Sequence, residues 1–305
     1  MRVGLIDLDN YNKTAKFPNL AIMKISTYHK EKGDTVEWYQ ILNSGYDLVY
    51  VSKVFSWTKE FPYAINSKKI IYGGIGYDLE NKLLEEQEHS FPDYSIYQVT
   101  KNKAYGFLSR GCPRECKFCN VSQHQGKKSK KVSYLTEFWN GQEEIILLDP
   151  NILACPDYKD LLQQLAKSKA YVDFSQGLDI RLMTEEKIKL LNNIKIKMIH
   201  FAWDSFEMKT YEMLKQYRNS FNLKDRQLIV YVLVNFNTTL EEDLKRIYML
   251  RAIGYTPYVM RYKDSTAKSK LLEIGSIYNK LARWVNRRQF FNKFNKFEEY
   301  LANSY

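Results

Sequence analysis

The chain has 305 residues, 45% of them hydrophobic, and carries a net charge of +11 with a pI of about 9.2. This composition excludes a disordered chain and suits one large domain or two ordinary ones. No apolar run approaches the roughly 18 residues of a membrane helix, and Asp7 stands where a signal peptide would stay apolar, so a cytoplasmic setting is expected. Four cysteines, three of them clustered, argue against a disulfide framework. The basic excess points to a polyanionic partner.

The first hundred residues read as an α/β arrangement. Val3–Leu8 is an apolar strand. Leu20, Met23, Thr27 and Tyr28 recur near helical spacing; Pro18 suits a first turn, and Gly33 sits where the helix would end. Thr35–Tyr39, Asp47–Ser52 and Lys69–Tyr72 are short, rich in β-branched or aromatic residues and bounded by turn formers. Strands alternating with helical segments predict an open, mainly parallel sheet. Gly73-Gly74-Ile75-Gly76 follows the last strand but lacks the G-x-G-x-x-G order, so a tight turn is the simpler reading.

After the apolar segment Tyr105–Ser109 comes Gly111-Cys112-Pro113-Arg114-Glu115-Cys116-Lys117-Phe118-Cys119, with the spacing C-x3-C-x2-C. A cubane iron–sulfur cluster normally takes four thiolates; three in one loop leave an iron open to another ligand. His124 or Cys155 could instead complete a closed tetrahedral zinc site, which would make the chain a zinc-stabilised nucleic-acid-binding protein without catalysis. Zinc knuckles belong to small modules that need the metal to fold, whereas this chain is long enough to build its own core.

The cysteine spacing, with Phe118 before the last cysteine, resembles the radical S-adenosylmethionine (radical SAM) superfamily. The resemblance implies that Cys112, Cys116 and Cys119 hold a 4Fe–4S cluster and that SAM chelates the open iron. It also implies a reduced flavodoxin or ferredoxin as electron donor. The first hundred residues resemble the cobalamin-binding-like domain that precedes the core in one subgroup. Members that bind cobalamin carry Asp-x-His-x-x-Gly, and neither His29 nor His89 sits in that context, so no cobalamin is expected.

From Tyr105 onward, strand-like segments recur at the spacing of βα units: Tyr105–Ser109, Glu144–Leu148, Tyr171–Ser175, Met198–Ala202, Leu228–Val234 and Tyr258–Tyr262. Helix-opening signals lie between them at Pro156-Asp157, at Thr184 with Glu185 and Glu186, and at the capping box Thr239–Glu242. The resemblance implies a partial (βα)6 TIM-like barrel. The expected organisation is an α/β domain at 1–100, the barrel at 101–264 and a basic helical extension at 265–305.

Barrels of this type carry their active groups at the C-terminal ends of the strands. Those ends supply Asp149 after the second strand, Gln176, Asp179 and Arg181 after the third, Asp204 after the fourth and Asn235 after the fifth. With Phe118, these are the residues that the resemblance implies for SAM. Asp149 would act through its carboxylate, since the glycine-rich version of that motif is missing. Arg181 can fork onto a carboxylate or pair with Glu185. Trp203 and Asp204 are either a wall and a hydrogen-bonding group of the site, or a core tryptophan and a helix cap. His200 reads as a structural histidine and Cys155 as a small buried residue.

Lys127-Lys128-Ser129-Lys130-Lys131 is either a solvated loop or a basic face near the mouth of the site. In the tail, Phe290, Phe291, Phe294 and Phe297 form an apolar helical face suited to packing on the body. Arg283, Arg287, Arg288, Lys293 and Lys296 would lie partly on the other side. Basic residues beside aromatics also suit single-stranded nucleic acid, so a nucleic-acid or nucleotide substrate stands beside a peptide or small metabolite.

Overall fold

In a computed structural model of the chain, residues 1–13, 17–98, 102–262 and 276–303 are described. Val3, Leu5, Leu48 and Tyr50 bury one face of two neighbouring strands, and Ile6, Val49 and Val51 bury the other. Burial on both faces is the mark of interior strands in a parallel sheet. The strands are β1 (Arg2–Asp7) and β3 (Tyr46–Ser52), flanked by β2 (Thr35–Trp38) and β4 (Ser67–Gly73) in the order β2-β1-β3-β4, every pair parallel. Gly4 lets β1 pass the ring of Tyr46 closely, since a Cβ would stand at a tight 3.1 Å from it.

Helix α1 (Leu8–Tyr11) follows β1 directly, and α2 (Leu20–Glu31) crosses to β2. Pro18 lies outside the first turn of α2. Asn19 is the N-cap, its side chain accepting the Ile22 N–H at 3.3 Å, so the proline precedes the helix. Gly33, at φ 79°, follows the helix end in a left-handed conformation.

Farther on come α3 (Glu85–Glu88), β5 (Lys103–Gly106), β6 (Ser109–Arg110), α4 (Val121–Gln125), β7 (Lys130–Lys131) and β8 (Glu144–Leu147). The single strand expected over Tyr105–Ser109 is divided. β5 neighbours β8 and stops at Gly106, where a Cβ would collide with the ring of Phe138. The chain then leaves that sheet so that β6 can pair antiparallel with β7.

The chain divides into two compact units, Met1–Ile146 and Leu147–Tyr305. The boundaries expected at 100/101 and 264/265 lie outside the described residues. In the second unit β9 (Tyr171–Phe174), β10 (Ile196–Ala202), β11 (Leu228–Val234) and β12 (Thr256–Arg261) are successive parallel neighbours. Helices α5 (Tyr158–Ser168), α6 (Glu185–Asn192), α7 (Met208–Tyr217) and α8 (Leu240–Ala252) alternate with them. The capping box read at Thr239 is formed: Thr239 Oγ1 accepts the Glu242 N–H at 3.3 Å, and Glu242 Oε2 accepts the Thr239 N–H at 2.8 Å.

The tail forms α9 (Ile277–Asn286), α10 (Arg288–Lys293) and α11 (Phe297–Ala302). Trp284 is fully buried against Phe291 and Phe297, while Arg283, Arg287, Arg288, Lys293 and Lys296 face solvent. Among the described residues no strand pairs with the outer edge of β12, and a side chain meets that edge at Val259. Asn286 Oδ1 accepts the Val259 N–H at 2.7 Å, and its Nδ2 donates to the Val259 carbonyl at 3.0 Å. Asn286→Ala leaves both backbone groups of the buried Val259 without these bonds, and should cost about 1–3 kcal/mol in urea unfolding. An unchanged midpoint would show that water replaces the amide without penalty.

Candidate functional site

The cysteine loop lies in the first unit, and its path depends on backbone contacts. Gly111 has φ 91°, and a Cβ there would collide with the carbonyl of Lys128. The next residue's N–H donates to the Gly126 carbonyl at 3.0 Å, so both sides of Gly111 are fastened to the lysine segment. Cys119 N–H donates to the Cys116 carbonyl at 2.9 Å and closes the turn that carries Phe118. Cys112, Cys116, Cys119 and Phe118 are all half-buried.

The donor set fits an iron–sulfur cluster: it is all sulfur, and the Arg114 N–H points at Cys112 Sγ from 3.4 Å. Hydrogen bonds to sulfur are one means by which a protein tunes such clusters. His124 is engaged elsewhere, its Nδ1 lying 2.5 Å from the Leu79 carbonyl. Cys155 is buried in the second unit, 4.0 Å from Asp157 Oδ2. Among the described residues, no three His, Cys, Asp or Glu side chains converge on the position of a single ion.

The lysine run is only partly a loop. Lys130 and Lys131 form β7, Ser129 is buried, and the Lys131 ammonium stands 3.6 Å over the ring of Tyr134. Lys127, Lys128 and Lys130 are exposed, and Lys127 pairs with Glu115 inside the cysteine loop. The basic segment is therefore built against the cysteines rather than trailing from them.

In the second unit, three of the residues singled out from the sequence gather in one electrostatic neighbourhood. Asp179 caps a 3-10 turn by accepting the Arg181 N–H at 3.2 Å, and its Oδ1 also holds Arg181 Nε at 2.7 Å. Arg181 therefore pairs with Asp179, and the residue is exposed. Burial pushes the Asp204 carboxyl up to about 6, against the pull of Arg246 and Arg181 and with the push of Asp179. Asp204 does not cap α7, whose N-cap is Glu207. Trp203 is a core residue, stacked on Tyr211 at 5.5 Å.

The other strand ends are placed differently. Asp149 and Asn151 are buried, and Gln176 is exposed on the turn before Gly177. Asn235 takes φ 63°, and its N–H donates to Asp243 Oδ2 at 3.2 Å. His200 is structural: its Nδ1 faces the Phe174 carbonyl at 3.0 Å, and its ring stacks on Tyr231 at 4.9 Å. Burial lowers its pKa to about 4, so it is neutral at physiological pH.

Arg246 and Asp243 do not stand out in the sequence as site residues. Both are fully buried on α8 and form an ion pair at 2.5 Å. Arg246 also donates to the Trp203 carbonyl beyond β10 and, at 2.7 Å, to the Leu233 carbonyl of β11. With the Asn235 bond, this pair fixes the strand ends that present Asp204 and Asn235. One signal does exist: Asp243, Arg246, Ile247 and Leu250 share the i, i+3, i+4, i+7 face that the apolar residues mark as buried.

Comparison with known proteins agrees with this construction. No protein-family model matches the chain. It is 26% identical over 194 residues to tRNA-2-methylthio-N(6)-dimethylallyladenosine synthase of Hydrogenobaculum sp. (strain Y04AAS1), covering 54% of this chain and 44% of that protein. The chain thus spans less than half the length of this curated relative. In structure it is similar to the radical S-adenosylmethionine methyltransferase TsrM of Kitasatospora setae, solved with cobalamin and a 4Fe–4S cluster bound. That likeness has a TM-score of 0.59 at 11% identity and covers 85% of this chain and 74% of the other, which shows the fold. The chain is thus similar in sequence to a tRNA-modifying synthase and in fold to a radical SAM methyltransferase.

Three outcomes follow from the geometry. Gly111→Ala must displace the Lys128 carbonyl, so the reconstituted variant should lose most of its iron while keeping its circular-dichroism spectrum. Arg246→Ala leaves Asp243 buried without its cation and should cost about 3–5 kcal/mol in chemical unfolding. The folded Asp204 carboxyl lies above its unfolded value of 3.8. Its contribution is therefore fully present below about pH 4 and is lost as pH rises through about 6. Asp204→Asn cannot ionise, so its stability relative to wild type should increase across that window; parallel curves would contradict the burial.

Proposed function

We propose that this chain cleaves SAM reductively at a 4Fe–4S cluster held by Cys112, Cys116 and Cys119, and abstracts hydrogen from an RNA. The observation that carries the reading is the cysteine loop, three sulfurs in a fixed turn with a lysine ribbon fastened to its backbone. When bound, the cluster and SAM supply the electron transfer and the radical chemistry. The chain's own residues bind, orient and shield.

In this reading Arg181 offers its fork to the SAM carboxylate. Asp204, ionised above about pH 6, would take the SAM ammonium. Asp149, Gln176, Asp179 and Asn235 supply further polar contacts, and Phe118 packs beside the cluster. A reduced flavodoxin or ferredoxin gives the electron in the cytoplasm. The RNA assignment draws support from the tRNA-directed name of the relative and from Lys127, Lys128 and Lys130, which stand exposed beside the cysteines.

Cobalamin is not part of the proposal, although the TsrM structure contains it. Doubly wound folds place ligands at the switch point beyond the carboxyl ends of the central strands. In this chain side chains occupy that point. The Tyr97 hydroxyl donates to Asp7 Oδ2 at 2.5 Å, and Asn19 Nδ2 donates to Ser52 Oγ at 2.8 Å, all four residues being buried. Protein reconstituted with excess hydroxocobalamin and then desalted should retain no stoichiometric corrinoid.

The main test is anaerobic reconstitution. The protein should bind about four irons per chain and, with a strong reductant, form 5′-deoxyadenosine from SAM. A colourless protein holding one tight zinc would overturn the proposal. Changing Lys127, Lys128 and Lys130 together to glutamine should weaken RNA binding. The slope of log affinity against log salt should then fall by about 0.7 for each single-strand phosphate that is no longer neutralised.

A further inference from the structure

The loops at the carboxyl end of the first unit's sheet hold a group of aromatic side chains that the cysteine chemistry does not use. Asp9, 1% exposed, lies in α1 immediately after β1. Its carboxylate accepts the Val54 N–H at 2.6 Å and the Thr58 hydroxyl at 2.5 Å, pinning the segment that follows β3. One turn on, Asn12 Nδ2 donates to the Lys59 carbonyl at 3.1 Å and fastens the next part of the same loop. A buried carboxylate carries a desolvation cost, and here two of its hydrogen bonds go to one surface loop.

That loop keeps large rings in water. Phe55 stacks on Trp57, with centroids 4.9 Å apart and planes 17° off parallel, yet Trp57 is 59% exposed. Phe61 gathers Tyr11 at 5.3 Å and Tyr63 at 5.8 Å, which are 49% and 53% exposed. Lys13 and Lys59 stand exposed on the same two segments. The nearest acid of the loop, Glu60, is already taken by the buried Lys53 and by the Tyr77 hydroxyl. The surface is thus aromatic, cationic and held in shape before any ligand arrives.

We propose that this aromatic loop is a stacking platform for unpaired bases of the RNA, with Trp57 and Tyr63 as the stacking residues and Lys13 and Lys59 as phosphate contacts. The proposal rests on the RNA reading above and names a binding surface apart from the cysteine loop. Every base offers a π-face, so rings of this kind hold single strands with little sequence preference. A net charge of +11 favours a polyanionic ligand on such a surface.

The reconstituted protein is titrated with a short single-stranded RNA in a filter-binding assay, and its tryptophan fluorescence is followed in parallel. Of the five tryptophans, Trp203 and Trp284 are buried and Trp57 is the one more than half exposed, so quenching reports on it. Trp57→Ala with Tyr63→Ala should lower RNA affinity about tenfold or more, with RNA-free SAM cleavage unchanged. Trp57→Phe should keep the affinity while losing the quench. Equal binding by wild type and the double alanine variant would overturn the platform and leave the RNA reading standing. Wild type that binds no RNA even at low salt would overturn both. Quenching by a flavodoxin-type protein, with none by RNA, would assign the loop to a protein partner and overturn the proposal.

Discussion

Parallel strands end in carbonyls that the sheet's own ladder does not use, and an enzyme that puts its working groups there must satisfy them. In the second unit Arg246 does this for two strand ends at once, donating to the carbonyls of Trp203 and Leu233. Its charge is balanced by Asp243, whose other oxygen takes the Asn235 N–H. The presentation of Asp204 and Asn235 follows from this one guanidinium. The same cation lowers the pKa of Asp204 while burial raises it. Position and protonation at that strand end therefore share a cause.

The first unit solves the corresponding problem with backbone. A glycine in the left-handed region and one N–H bond to Gly126 bind the cysteine loop to the segment that becomes β7. Attachment of this kind would suit a loop whose three sulfurs were to meet a cluster of fixed dimensions, as proposed. It also sets the lysines beside the cysteines through the backbone, and Lys127, Lys128 and Lys130 are exposed there.

Much of the framework is legible in the sequence because the strands are short apolar runs with clear punctuation. Leu228–Val234 has the same limits in sequence and structure, since its β-branched residues are buried on both faces. Tyr105–Ser109 reads as one strand because nothing local announces that Phe138 crowds Gly106, which is a tertiary fact. Pro18 reads as a first-turn residue although it precedes the helix, because Asn19 competes for the cap. The cysteines are legible from spacing alone. Asp204 and Arg181 are legible as strand-end positions, but the pairing of Arg181 with Asp179 rather than Glu185 is not. A 3-10 turn brings Asp179 back onto the arginine, and sequence distance along a regular helix does not anticipate that. Arg246 escapes notice because a charged residue on a helix ordinarily faces water.

The amide of Asn286 has a meaning for how the chain is made. By pairing with both backbone groups of Val259 it imitates one peptide of a neighbouring strand, at the place where β12 would otherwise accept a foreign one. The two residues are 27 apart in sequence. At ribosomal speeds of about 5–20 residues per second, Val259 leaves synthesis roughly one to five seconds before Asn286. During that interval the backbone groups of Val259 lack the amide that pairs with them in the folded chain. Crowded polysomes, where identical edges emerge side by side, are where a chain of this design is most exposed to pairing with its own copies.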